Sequence, residues 1–144
     1  MLGLSGNLSD LAVASSQYDI LLCSETLVSG LCHVSELLVP GFGRPVLSCR
    51  GKLPRALGMA AYVRDGYGAF RQPKFKCGCC EMQVVRVCDL RQNFYVYSLY
   101  RNPDQDDRIY DWLLTSMAAV QAENVRRVRA SFLFVGDLNG HHQE

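Results

Sequence analysis

The sequence of 144 residues lacks the features that mark several special classes of protein. No apolar run approaches the ~20 residues that a membrane-spanning helix needs. No basic segment followed by an apolar one opens the chain, so we expect no secretory signal peptide. A composition of 49% hydrophobic and 20% charged residues is typical of a globular protein. We therefore expect one domain over residues 1–144, without a membrane partner.

Acidic residues are scarce in one part of the chain. Between Arg44 and Lys76, eight basic residues accompany a single acid, Asp65, so this segment carries +7 and the rest −6, for a net charge of +1. Such a segment can bind the phosphates of a nucleic acid. A solvated loop and strand face is an equally good interpretation.

The seven cysteines do not form the paired CxxC motifs of a structural zinc site. An odd number without a secretory context favours reduced thiols and an intracellular protein. Cys77, Cys79, Cys80 and Cys88 leave zinc open as an alternative, but no histidine is near them in the sequence. Ordinary cysteines of a hairpin are the preferred interpretation.

Apolar patterns predict strands separated by helices, hence a mixed α/β domain built in layers. We predict a central strand at 18–23 and a buried strand at 130–135, and an antiparallel hairpin from 81–90 and 94–100. A further strand is predicted at 58–64, and loops at 27–45 and 50–55. Two helices are predicted, each from one apolar face: Leu8, Leu11 and Ala12 within residues 1–17, and Ile109, Trp112, Leu113, Met117 and Val120 after Pro103.

Polar residues follow two of these strands. Glu25 comes after strand 18–23, and a carboxylate there is a suitable ligand for Mg²⁺ or Mn²⁺. Asp137 and Asn139 come after strand 130–135, within a glycine-rich turn. Residues i and i+2 of an extended chain point the same way, so both could face one phosphate. The carboxyl ends of strands in α/β sheets are where ligands bind, which predicts a site at this edge.

Three stretches carry a resemblance to a known family. Gly136 to His142 (GDLNGHH) resembles the GDFNAHH signature of the endonuclease/exonuclease/phosphatase superfamily, in the version found in non-LTR retrotransposon polyproteins upstream of the reverse transcriptase. Tyr18 to Thr26 resembles the strand of that family that ends in Glu-Thr, and Tyr97 to Pro103 resembles its Tyr-Arg-x-Pro strand end. The three motifs occur in the family's order and cover nearly the whole chain.

The resemblance implies a four-layer α/β sandwich, with two packed mixed sheets flanked by helices, and a divalent-metal-dependent endonuclease. By residue, it implies that Glu25 binds Mg²⁺ or Mn²⁺, that Tyr100 and Asn139 contact the scissile phosphate, and that Asp137 orients or deprotonates water. His141 and His142 are expected beside the site rather than in it. Weaker contacts to DNA, the expected partner, are assigned to Arg50, Lys52, Arg55 and Arg101. No organic cofactor is implied, and a retrotransposon protein would be nuclear.

The chain departs from the family pattern at both ends. The family's Asn on a preceding first strand has no counterpart upstream of Leu2, and its later Asp and terminal Ser-Asp-His have none before Glu144. We therefore expect a partial domain with uncovered apolar sheet edges and impaired catalysis. The alternatives are a phosphatase or deadenylase on the same scaffold, or a non-catalytic remnant that binds nucleic acid or protein.

Overall fold

The computed structural model describes residues 8–28, 33–48, 58–72, 81–89, 92–100, 108–124 and 130–137. Two helices and seven strands follow one another in these ranges, with short 3-10 turns at Ser15–Gln17 and Val34–Leu37. The elements are α1 (Leu8–Ala14), β1 (Ile20–Ser24), β2 (Val46–Ser48), β3 (Met59–Val63), β4 (Gly68–Arg71), β5 (Glu81–Cys88), β6 (Asn93–Tyr100), α2 (Arg108–Asn124) and β7 (Ala130–Asp137). No helix in the described ranges is long and apolar enough to cross a membrane.

The strands form two sheets. The first sheet has the order β1-β3-β2, and both of its pairings are antiparallel. The second sheet has the order β4-β5-β6-β7, in which β5 and β6 form the predicted antiparallel hairpin. β6 and β7 are parallel and are connected through α2, so their carboxyl ends lie at the same edge of the sheet.

Three apolar clusters separate four layers. The first lies between α1 and the first sheet, where Leu8, Leu11 and Ala12 pack near the buried Tyr62. The second lies between the two sheets and contains inward-facing valines of β3, β5 and β6. The third lies between the second sheet and α2, where Ile109 and Val120 are fully buried. The predicted four-layer α/β sandwich and the apolar faces of both helices are thus confirmed.

Sequence patterns gave a wrong position for two strands within their sheets. β1 was predicted to be central, but among the described strands it lies at one edge of the first sheet, and β3 is central and buried on both faces. β7 was predicted to be buried, but Leu133, Phe134 and Val135 are 48%, 39% and 41% exposed. An apolar run does not reveal how many neighbours its strand will have, so periodicity cannot separate an edge strand from a central one.

Two short strands were not predicted from the sequence. β2 and β4 have only three and four residues, too few to show a period. Both pair with a longer strand, β3 and β5 respectively, which supplies the hydrogen bonds that define them. The prediction of a loop over 27–45 missed the turn at Val34–Leu37 and the single bridge from Phe42 to Arg64.

Candidate active site at the carboxyl edge of the two sheets

Glu25 lies just past the end of β1 in a strained backbone conformation. Its φ is 51°, and that of Leu27 is 53°, both in the left-handed region that costs an L-residue roughly 1–2 kcal/mol. Between them, Thr26 is buried and donates its backbone N–H to the carbonyl of Gly58 over 3.2 Å. Strain of this kind persists where the surrounding structure enforces it, and it is concentrated at functional sites. The Glu25 side chain is exposed at this edge.

Gly58 makes this arrangement sterically possible. Its φ is +65°, and a Cβ at this position would stand 2.9 Å from the side-chain oxygen of Thr26. A larger residue would therefore clash with Thr26 and push the segment that holds Glu25. Gly58 precedes β3 in the sequence and is separated from Glu25 by more than thirty residues. Sequence reasoning did not identify it, because its function depends on a long-range contact.

Tyr100 and Asp137 lie side by side at the ends of β6 and β7. They are register partners in the parallel pairing, so their side chains leave the same face of the second sheet. Phe94 and Val96, which precede Tyr100 at two-residue spacing, belong to the cluster between the sheets. Tyr100 and Asp137 are consequently on the face that is directed toward the first sheet. Tyr100 is half-buried and Asp137 is exposed.

Gly136 lets β7 approach β6 closely beside this pair. A Cβ on Gly136 would overlap the carbonyl oxygen of Leu99 and would stand 2.7 Å from the carbonyl carbon of the same residue. Backbone atoms of a central strand cannot yield as a flexible side chain can. The glycine of the Gly-Asp-x-Asn motif is therefore required by the packing of two strands, in addition to any role in a turn.

The space between the sheets changes from apolar to polar toward this edge. Gln83 and Ser98 are partners on β5 and β6 and are only 2% and 4% exposed. The amide of Gln83 donates from Nε2 to the carbonyl of Val46 over 2.7 Å, which links the second sheet to the first. Its Oε1 is buried without a hydrogen-bond partner among the described residues. The sheets are thus joined by a polar contact close to the edge that carries the site.

Glu25 follows a strand of the first sheet, whereas Tyr100 and Asp137 end two strands of the second sheet. Ile20 and Leu22 of β1 pack in the same cluster as Phe94 and Val96 of β6, so these two strands face each other across the space between the sheets. The other predicted site residues lie outside the described residues: Asn139, His141, His142, Arg50, Lys52, Arg55 and Arg101. In the described ranges, no three His, Cys, Asp or Glu side chains form a group that could hold a metal ion.

Comparison with known proteins identifies the fold. No protein-family model and no curated protein sequence matches the chain. A solved structure does: the endonuclease domain of TRAS1, a telomere-specific non-LTR retrotransposon, aligns over 96% of this chain with a TM-score of 0.60 and 18% sequence identity. The chain has the fold of a retrotransposon endonuclease domain. It spans 56% of the length of that structure.

Within this fold, one arginine of the basic segment, Arg64, has several partners that hold its side chain in place. Arg64 donates from Nε to Asp19 over 3.0 Å and from Nη2 to the carbonyls of Ser15 and Ser16, each over 3.2 Å. It also lies over the ring of Phe42, at 5.1 Å from the ring centroid. Arg64 therefore joins the end of α1 to the first sheet, and its charge has a structural use. The sequence could not distinguish it from the other basic residues of the segment.

Proposed function

We propose that this chain belongs to a nucleic-acid endonuclease that hydrolyses phosphodiester bonds with the help of a divalent metal ion. The observation that carries the proposal is the placement of Tyr100 beside Asp137 at the ends of two parallel strands. The strained Glu25 after a strand of the facing sheet supports it. The similarity of fold to a retrotransposon endonuclease domain supports the same proposal. DNA is the proposed substrate, and a nuclear location would follow from a retrotransposon origin.

The donor chemistry of the site suits Mg²⁺ or Mn²⁺. Glu25 is an exposed carboxylate, and Asp137 is a second exposed carboxylate at the end of β7. Mg²⁺ usually keeps several waters and is held by one or two carboxylates together with substrate phosphate oxygens, so a set of three protein ligands is not required. Glu25 would hold the ion, which when bound would offset the negative charge that develops on the phosphate.

The remaining residues would position the reacting groups. The Tyr100 hydroxyl can donate to a phosphate oxygen, and Asn139 would donate to the same phosphate from its amide. Asp137 would accept a hydrogen bond from the attacking water and orient it toward phosphorus. Phosphoryl transfer depends mainly on such positioning and on charge stabilisation, which these side chains can supply.

Nicking of supercoiled plasmid in the presence of Mg²⁺ tests the proposal. We expect nicking by the wild-type protein that EDTA stops, and a loss of about a hundredfold or more in Glu25→Gln and in Asp137→Asn. Both replacements keep the shape of the side chain and remove its charge. Glu123→Gln is the matched control, because Glu123 is an exposed carboxylate near the end of α2. Circular dichroism establishes that each protein is folded.

The outcome separates the alternatives. Equal nicking by all four proteins would assign the activity to a contaminant and contradict the proposal. Hydrolysis of a phosphomonoester without nicking would indicate a phosphatase on the same scaffold. Release of adenosine monophosphate from poly(A) without nicking would indicate a deadenylase. Salt-sensitive binding of duplex DNA without turnover would indicate a non-catalytic binding protein. The rate measured for the wild type also tests the prediction of impaired catalysis.

A further inference from the structure

Arg71 lies at the end of β4 with its guanidinium turned toward the first sheet. Its register partner Val85 is buried between the sheets, so the side chain of Arg71 leaves the same face. Its Nη2 contacts the hydroxyl of Ser48 over 3.5 Å, at the end of β2. This is a long hydrogen bond, and a guanidinium has five N–H donors. Among the described residues, most of the donors of this exposed side chain therefore have no partner in the protein and can bind a ligand.

The contact with Ser48 places Arg71 near one end of the first sheet. Ser48 on β2 and Ser24 on β1 both pair with Met59 of β3, so they lie in one row of the first sheet, two strands apart. Two strand spacings amount to about 10 Å. Glu25 follows Ser24 directly. Arg71 therefore contacts the first sheet at the end of the strands that Glu25 follows, two strands to one side.

The charge of Arg71 is not neutralised by the described part of the protein. Arg64 has Asp19 as its ion-pair partner, but Arg71 has no acidic partner among the described residues. Among the described residues, the exposed Arg71 guanidinium forms no ion pair that stabilises the fold as the Arg64–Asp19 pair does. Its position is suited to a mobile anion that approaches the edge from solvent, and an arginine fork is well shaped for a phosphate.

We propose that Arg71, supported by Ser48, binds a backbone phosphate of a polynucleotide substrate other than the scissile phosphate. Two strand spacings, about 10 Å, exceed the size of one phosphate group, so Arg71 and Glu25 would contact different phosphates. A small phosphate ester bound at Glu25 would not reach this position. The proposal rests on the proposed function, and it specifies a polymer as the substrate class.

The test is binding of a fluorescein-labelled 20-base-pair duplex in EDTA over a series of salt concentrations. Removing one phosphate contact lowers the slope of log affinity against log salt by about 0.9, and we expect this change, with several-fold weaker binding, in Arg71→Ala. Arg71→Lys keeps the charge and should retain most of the slope. Arg44→Ala is the matched control, because Arg44 is exposed and precedes β2 at the opposite edge of the sheet.

Equal changes of the salt slope in Arg71→Ala and Arg44→Ala would show that Arg71 acts through net charge alone, and would overturn this inference. If the wild-type protein still nicks plasmid, the proposed function stands. A wild-type protein that neither binds the duplex nor nicks plasmid would overturn both. A slope that falls equally in Arg71→Lys and Arg71→Ala would also contradict a phosphate contact, because the lysine variant preserves the cation.

Discussion

At the scale of single residues, Gly58 and Gly136 near the proposed site are each required for a different physical reason. Gly58 is needed because its φ is positive and Thr26 occupies the space where a Cβ would be. Gly136 is needed because the backbone of Leu99 occupies that space. Glu25 and Leu27 adopt left-handed conformations without being glycine, so the segment between them is under strain. The site edge is therefore determined by close contacts as much as by its polar side chains.

Gly136→Ala should destabilise the protein by about 3 kcal/mol, since an added methyl group would force β7 away from β6. Urea unfolding measures the change. Gly66→Ala is the control: its φ is +101°, but nothing lies within 4 Å of its added Cβ, so only backbone strain of about 1–2 kcal/mol is expected. Equal losses in the two variants would mean that the close approach to Leu99 is unimportant for stability.

At the scale of elements, β7 ends in a residue of the proposed site and is also an edge strand. It carries Asp137, and among the described strands it lies at the edge of the second sheet. Its aromatic residues Phe132 and Phe134 pack beside Tyr95 and Tyr97 of β6. The ring centroids of Tyr97 and Phe134 are 4.7 Å apart. An apolar edge strand without a lysine or proline is a place where other chains can pair.

Leu133→Lys should reduce self-association, because a charge on an edge strand opposes strand pairing between molecules. Light scattering during concentration, with the monomer mass of 16.1 kDa as reference, measures the effect. Leu114→Lys is the control, since Leu114 is 66% exposed on α2 rather than on a strand. If both lysine variants improve solubility equally, added charge and not the edge of β7 is the cause.

At the scale of the whole molecule, the candidate active site depends on the packing of two sheets. Glu25 comes from the first sheet, and Tyr100 and Asp137 come from the second. The cluster between the sheets and the bond from Gln83 to Val46 hold these residues in register. If the proposed site is correct, any change that lets the sheets slide would separate the proposed metal ligand from the residues proposed to contact phosphate and water.

The whole fold should lose stability as the pH rises above about 9. Burial raises the pKa of the Cys23 thiol above its ordinary value of 9.0, and burial raises the pKa of Tyr97 above 10.0, partly offset by a hydrogen bond with Ser116. Below these values both groups are protonated in the folded and unfolded states. Above them, the unfolded chain loses its protons first, so the free energy of unfolding falls with pH.

Urea unfolding at pH 7, 9 and 10 measures this decline. Cys23→Ala removes one titrating group, and it should give a shallower decline than the wild type, although its stability at pH 7 is lower because of the lost packing. A decline of the same steepness in both proteins would exclude Cys23 as a contributor.

The sequence by itself determined the order of the two helices and the longer strands, the apolar faces of both helices, the hairpin of β5 and β6, and the polar residues at strand ends. These follow from local periodicity and turn chemistry, which neighbouring residues set among themselves. The sequence also carried the motifs that predicted the four-layer fold. The roles assigned to Glu25, Tyr100 and Asp137 stay predictions for the plasmid assay.

The tertiary structure alone decided which strands are at an edge, which glycines are indispensable and which arginines are available. Arg64 and Arg71 both belong to the basic segment, but Arg64 is paired with Asp19, whereas the guanidinium of Arg71 donates only to Ser48 among the described residues. Gly58 and Thr26 are likewise far apart in the sequence and in contact in the fold. Such pairings depend on how the two sheets bring distant segments together, and no local pattern records them.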